Sequence, residues 1–190
     1  SVARSIPNMN VLAPCDPHEM EEAVKYCSSK LKNPTYLRIG KAGEKIFIDK
    51  KSDKWSFGKI RKVVDGKDIC ILTFGPIIKK DFDLKKKLEE KNISVEINSC
   101  HTLKPFDLIG LKKKFKKFKL LIIIEDHSDI GGLSTIIKTS AFEEGYSGKI
   151  LSFSLKDKFI HCYGTQEDLL NKHGINLEKM YKKTIKHLKI

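Results

Sequence analysis

The chain has 190 residues, 40% of them apolar and 32% charged, with a formal net charge of +13. That length and apolar content allow one domain of ordinary size with a packed core and an extra piece, while no apolar run is long enough for a membrane span. The first residue is Ser rather than Met and SVARSIPNMN has no long apolar region, so a chain processed or cut from something longer is expected, without a signal peptide.

Residues 8–14, NMNVLAP, form a short strand candidate ended by Pro14. Asp16-Pro17-His18-Glu19 is a helix start: Asp16 caps, Pro17 fits the first turn and Glu19 completes a capping box. Met20, Ala23, Val24, Cys27 and Leu31 then trace one face at helical spacing, Asn33-Pro34 stops the helix, and TYLRI over 35–39 is a second strand. Two strands joined by one helix should be parallel with a right-handed crossover. They cannot cover both faces of a sheet, so residues 1–48 read as the incomplete end of a larger α/β domain. Residues 49–67 read as a linker, with Trp55 pinning it to one of the domains.

From Asp68 to the last residue, 190, the pattern is that of a complete α/β domain. DICILTF over 68–74 is a buried strand, a helix runs from about 78 to 91, and ISVEI over 93–97 alternates as a half-exposed, peripheral strand should. Residues 102–107 form a turn into a lysine-rich helix. KLLIIIEDHSDIGGLSTIIK, 119–138, carries the plainest signal: five apolar residues, Leu120 to Ile124, suit a strand buried on both faces. Glu125-Asp126-His127 mark its exit from the core, Gly131-Gly132 allow a tight turn, and Ser134 caps the following helix. KILSFSL over 149–155 is another strand, and two helices follow, the first stopped by His173-Gly174 and the second begun by Asn176. The expected fold is a mostly parallel, twisted sheet with helices on both faces, preceded by a β-α-β remnant of a second α/β domain.

Only Arg4, Arg38 and Arg61 among the 37 basic residues are arginines, and LKKKFKKFK over 111–119 places Leu111, Phe115 and Phe118 on one helical face. Its lysines therefore read as a solvated face, and neither nucleic acid nor membrane is expected as a partner. The five cysteines show no CxxC pair and no regular spacing, which suits a reduced, cytoplasmic protein with Cys70 and Cys100 in the core. His101, His127 and His161 stand near strand ends, but none has a second ligand at metal-binding spacing. Gly131-Gly132 could present backbone amides to an anion, although close packing of loop and helix is the simpler reading. The residues by themselves give no self-sufficient catalytic set.

RSIPNMNVLAPCDPHEMEEAV (Arg4 to Val24) with PTYLRIGK (Pro34 to Lys41) resembles the later part of the pyrimidine-binding domain of transketolase-type thiamine diphosphate enzymes. GKIRKVVDGKDICILTFG (58–75), LKPFD (103–107) and EDHSDIGGL (125–133) resemble that family's entry into its carboxyl-terminal domain, the sequence before the next helix and a double-glycine segment. The departure is Ser134-Thr135, where the family generally has Gly first, so that turn is expected to be less tight. YLRIGK resembles split transketolases and FIHCYGTQEDLL (159–170) also resembles deoxyxylulose-phosphate synthases; the beta subunits of 2-oxoacid dehydrogenases share the layout.

The resemblance implies transfer of a two-carbon ketol unit between phosphorylated sugars by a complete enzyme holding thiamine diphosphate and Mg²⁺. It implies that the cofactor-holding residues lie outside this chain, which alone would be inactive and would serve domain packing and dimerisation with the remaining domains. It also implies a substrate-phosphate contact at Arg38, with Lys41 near a second basic position. A planar guanidinium suits a phosphate, whereas Lys supplies a point charge. A stand-alone, non-catalytic assembly module of the same fold remains the alternative from another class.

Overall fold

The computed structural model describes residues 1–41, 43–48 and 54–188. The apolar run at its centre becomes β7 (Leu120–Ser128), an interior strand whose residues 120–125 are all buried. It pairs in parallel with β4 (Ile69–Phe74) on one side and with β8 (Lys149–Leu155) on the other. On its other edge β4 pairs in parallel with β5 (Val95–Ser99), which β3 (Arg61–Val64) covers antiparallel. The order is β3-β5-β4-β7-β8. Alternate residues of each strand enter opposite cores, as the pleat requires. Ile69, Ile71, Ile97, Ile122 and Ile124 pack with α3 (Ile78–Glu89) and α7 (Leu177–Leu188). Cys70, Leu72, Leu121 and Ile123 pack with α4 (Leu108–Lys117) and α5 (Leu133–Glu143). Helices thus cover both faces of a mixed α/β sheet.

The alternation at residues 93–97 misdirects. All five residues of β5 are buried, and the strand is interior rather than peripheral. Two causes combine. β3, formed by residues inside the stretch read as a linker, closes its outer edge. The polar members Glu96 and Asn98 point to the α4 face, where Lys114 and Lys117 of that helix bond to Glu96. The lysines of α4 are therefore not all a solvated face.

The β-α-β unit is present: β1 (Asn10–Leu12) and β2 (Thr35–Leu37) run parallel around α2 (Pro17–Ser29). Asp16 caps α2 by accepting from the Glu19 amide at 2.9 Å, with Pro17 in the first turn. The Glu19 side chain reaches the amide of Cys15 rather than that of the cap residue, because its carboxylate is drawn to Ser99 of β5. The unit does not stand alone. Thr102–Lys104, expected to be turn, forms β6 and pairs antiparallel with β1, giving a second sheet of order β2-β1-β6. The Ala13 amide donates to His101 O, and the Gly75 amide donates to Ala13 O. The end of β1 thereby sits on the carboxyl ends of β4 and β5. Trp55 touches both parts, Tyr26 of α2 at 5.5 Å and His101 at 5.0 Å between ring centroids.

Candidate functional site

The seam between the sheets holds a cavity of about 730 Å³. β1 and β2 contribute Val11, Tyr36 and Arg38, the ends of β4 and β7 contribute Phe74, Asp126 and His127, and Arg4 of α1 (Val2–Ser5) joins them. Most of the remaining wall is apolar. A concave, largely apolar space with a few convergent polar groups at the carboxyl ends of parallel strands has the properties of a ligand site.

Arg38 is positioned by the end of β2, where its amide donates to Leu12 O at 2.8 Å. Its fork meets the C-terminal sheet: Nη1 donates to Asp126 O at 2.9 Å and Nη2 to Asp126 Oδ2 at 3.2 Å. The guanidinium carbon lies 5.8 Å from the centroid of the Phe74 ring, a cation–π arrangement. Gln166, at the start of α6 (Gln166–His173), donates to the same Asp126 oxygen at 3.3 Å. The Arg38 side chain remains 32% exposed. Lys41 is exposed and lines a different cavity, with Pro14, Met20 and Pro76, so the structure does not bring the two basic residues together.

The double-glycine turn has its own anion. Glu125 is fully buried and accepts from the amides of Leu133 and Ser134 and from the Ser154 hydroxyl, at 2.7, 3.2 and 2.8 Å. A carboxylate at the amino end of a helix satisfies orphan donors and the helix dipole together. α5 is thus capped from β7 and not by Ser134, whose Oγ is buried without a partner among the described residues. The strand leaves the core just after Glu125, as residues 126–128 are half-buried, while its pairing runs on to Ser128. Arg4 ties the amino-terminal segment to this turn by donating to Gly131 O at 2.6 Å.

The histidines diverge. His127 lines the cavity, donating from Nδ1 to Ser128 O at 2.8 Å. His101 is buried under Trp55, and burial, then the charge of Arg61, pushes it down to about 3, so it stays neutral and is too weak a base for proton transfer at neutral pH. His161 is exposed. Nearby, burial pushes the Glu19 carboxyl up to about 7 against hydrogen bonds from Cys15 and Ser99 and the charge of Arg61. Among the described residues no three His, Cys, Asp or Glu side chains are grouped to hold a metal ion. The cavity's charged side chains, Arg4, Arg38 and Asp126, likewise form no set that would hold a diphosphate with its metal.

Sequence reasoning named Arg38 but not Asp126, Gln166 and Phe74 as its surroundings. The adjacent carboxylates Glu125-Asp126 at a strand end were the available signal: pointing to opposite faces, they take different partners.

Residues 58–180 match the family model described as transketolase, C-terminal domain. The chain belongs to that family. A Methanocaldococcus jannaschii protein described as a transketolase C-terminal section is 30% identical over 190 residues, covering 100% of this chain and 58% of the relative. An apulose-4-phosphate transketolase subunit of Phocaeicola vulgatus is 24% identical over 189 residues, 100% of this chain and 59% of the relative. The 1-deoxy-D-xylulose-5-phosphate synthase of Clostridium tetani is 26% identical over 181 residues, 95% of this chain and 29% of the relative. Among solved structures, a split gene transketolase described as an inactive beta4 tetramer aligns with a TM-score of 0.83 at 26% identity, covering 99% of this chain and 60% of that one. The chain thus spans about three fifths of its split relatives. Among the described residues no helix is long and apolar enough to cross a membrane.

Proposed function

We propose that this chain is the C-terminal portion of a thiamine diphosphate-dependent transketolase, which moves a two-carbon ketol unit between phosphorylated sugars. In this reading residues 1–48 complete a pyrimidine-binding domain and the rest packs it and supports a dimer in the cytoplasm. Thiamine diphosphate and Mg²⁺ are held by domains or a subunit that this chain joins. The observation that carries the reading is Arg38, standing in the wall of the seam cavity with two of its five N–H donors on Asp126. Its remaining donors suit a substrate phosphate, and Asp126, Gln166 and the Phe74 ring hold the fork in one orientation. Lys41, on a separate cavity, adds positive potential to the approach rather than a second contact. A deoxyxylulose-phosphate synthase is the second reading, favoured by relatives such as that of Clostridium tetani.

The test combines this chain with the domains carrying the cofactor and assays ketol transfer for Arg38→Ala with a phosphorylated and a non-phosphorylated sugar. A charge-assisted contact of about 1.5–3 kcal/mol predicts a loss in kcat/KM of roughly ten- to a hundredfold for the phosphorylated sugar, mainly through KM. The other sugar should lose little. Equal losses would assign Arg38 to holding the two sheets together through Asp126. Formation of a deoxyketose product instead of ketol transfer would favour the second reading.

A further inference from the structure

At the open edge of the five-stranded sheet, β8 and the last two helices enclose a second groove, of about 330 Å³. Leu155 alone among the described residues lines both this groove and the seam cavity. Lys156 enters from the end of β8, Lys179 and Lys183 from α7, and His173 from the end of α6. Asp129 is the one carboxylate in the lining.

Several lysines elsewhere on the surface are paired with carboxylates. Lys80 pairs with Glu167, Lys87 with Glu178, Lys112 with Glu144, and Lys114 and Lys117 with Glu96. Lys156, Lys179 and Lys183 have no carboxylate within ion-pair distance among the described residues. Lys179 and Lys183 are four apart on α7, so they share a face, and like charges at that spacing repel. Lys183 is also drawn to the groove wall, its Nζ 5.5 Å from the Phe153 ring centroid. The His173 Nδ1 accepts from the Lys156 amide at 2.9 Å, which places the ring proton on Nε2 and leaves that nitrogen a donor. The Oγ of Ser152, in the same wall, is buried without a hydrogen-bond partner among the described residues. Three ammonium groups against one carboxylate leave about two positive charges to be neutralised.

We propose that this groove binds the phosphate dianion of a small phosphate monoester, at a site separate from the seam cavity. Lys156, Lys179 and Lys183 supply the charge, and His173 Nε2 a directional donor. The volume lies at the lower end of the roughly 300–1,000 Å³ of small-molecule pockets, which suits a phosphate on a short carbon body and not a polymer. The site needs no cofactor and no other domain, so it is open to test on this chain alone.

The full chain is titrated with inorganic phosphate and with glycerol phosphate at constant ionic strength, by calorimetry and by amide chemical shifts. Saturable binding is expected at pH 8, with shifts centred on Lys156, His173 and Lys179. It weakens at pH 5, below the second pKa of a phosphate monoester, about 6. Lys179→Gln with Lys183→Gln should raise Kd at least about tenfold. Lys113→Gln with Lys116→Gln on α4 removes the same charge from another surface and should change Kd by less than about twofold. Circular dichroism checks that both double variants fold. Equal weakening by the two pairs, shifts scattered over the surface, or no saturation would overturn the proposal and leave a diffuse basic surface.

Discussion

Replacing Lys114 and Lys117 together by Met isolates the most consequential charge in the C-terminal sheet. Glu96 is 1% exposed and accepts from Lys114, from Lys117 at 2.7 Å and from Asn98 at 3.0 Å. Burial pushes its carboxyl up, but those hydrogen bonds outweigh burial and hold it below the ordinary 4.5. Met keeps the apolar stem of each lysine and removes only the ammonium. Leaving a buried carboxylate without its partners costs about 3–5 kcal/mol. At about 2–4 °C per kcal/mol for a chain of this size, Tm should fall by roughly 6–20 °C. Lys117 is 45% exposed, so Lys117→Met alone should cost at most about 1 kcal/mol, with most of the loss following Lys114, whose side chain is 15% exposed. Adding Glu96→Gln to the double variant should restore most of the stability, since no buried charge remains. The pH dependence has a definite sign. A depressed carboxyl stabilises above its unfolded pKa, and that stability is lost as pH falls through the folded value, so the double variant should lose less on acidification than the parent. Thermal unfolding gives the Tm shift, and urea unfolding at pH 7 and pH 4 the free energies. A double variant within about 1 kcal/mol of the parent at pH 7 would show that these lysines are ordinary surface charges.

Gly132 is required by close approach rather than by backbone strain: a Cβ there would lie 2.7 Å from Ser128 O and closer still to Glu125 Oε2. Gly132→Ala should cost about 1–3 kcal/mol in thermal unfolding, whereas Gly145→Ala, with open space but positive φ, should cost only its backbone strain of about 1–2 kcal/mol without disturbing α5; an intact α5 cap with unchanged Tm in Gly132→Ala would refute this. His101 should stay neutral in the native state at pH 5, as ring NMR shifts would show. Because its folded pKa of about 3 lies below the unfolded 6.5, stability should fall by up to about 5 kcal/mol between those values as pH drops. Glu19, raised to about 7, acts in the opposite sense between 4.5 and 7, so the measurable quantity is the difference in slope between the parent and His101→Gln. Native-state titration of His101 near 6.5 would contradict the burial argument.

The sequence by itself determined the parallel sheet and its helices. Runs such as Leu120–Ile124 and Ile69–Leu72 are apolar without interruption because both faces of those strands are covered. The cap at Asp16 and the left-handed Gly174 were equally legible, since each is satisfied within a few residues of chain. Arg38 could be named from its motif, but not its partner. Contacts between residues distant in sequence were decided by tertiary structure alone. β3 and β6 are too short and too polar to declare themselves as strands, and exist because β5 and β1 offer open edges. Glu96 read as solvent-facing because alternation reports polarity, whereas burial depends on whether a partner such as Lys114 arrives from another element. Ser134 read as a cap for the same reason: the local acceptor was visible, and the Glu125 carboxylate nine residues earlier in the chain became the better one only once β7 and α5 were packed.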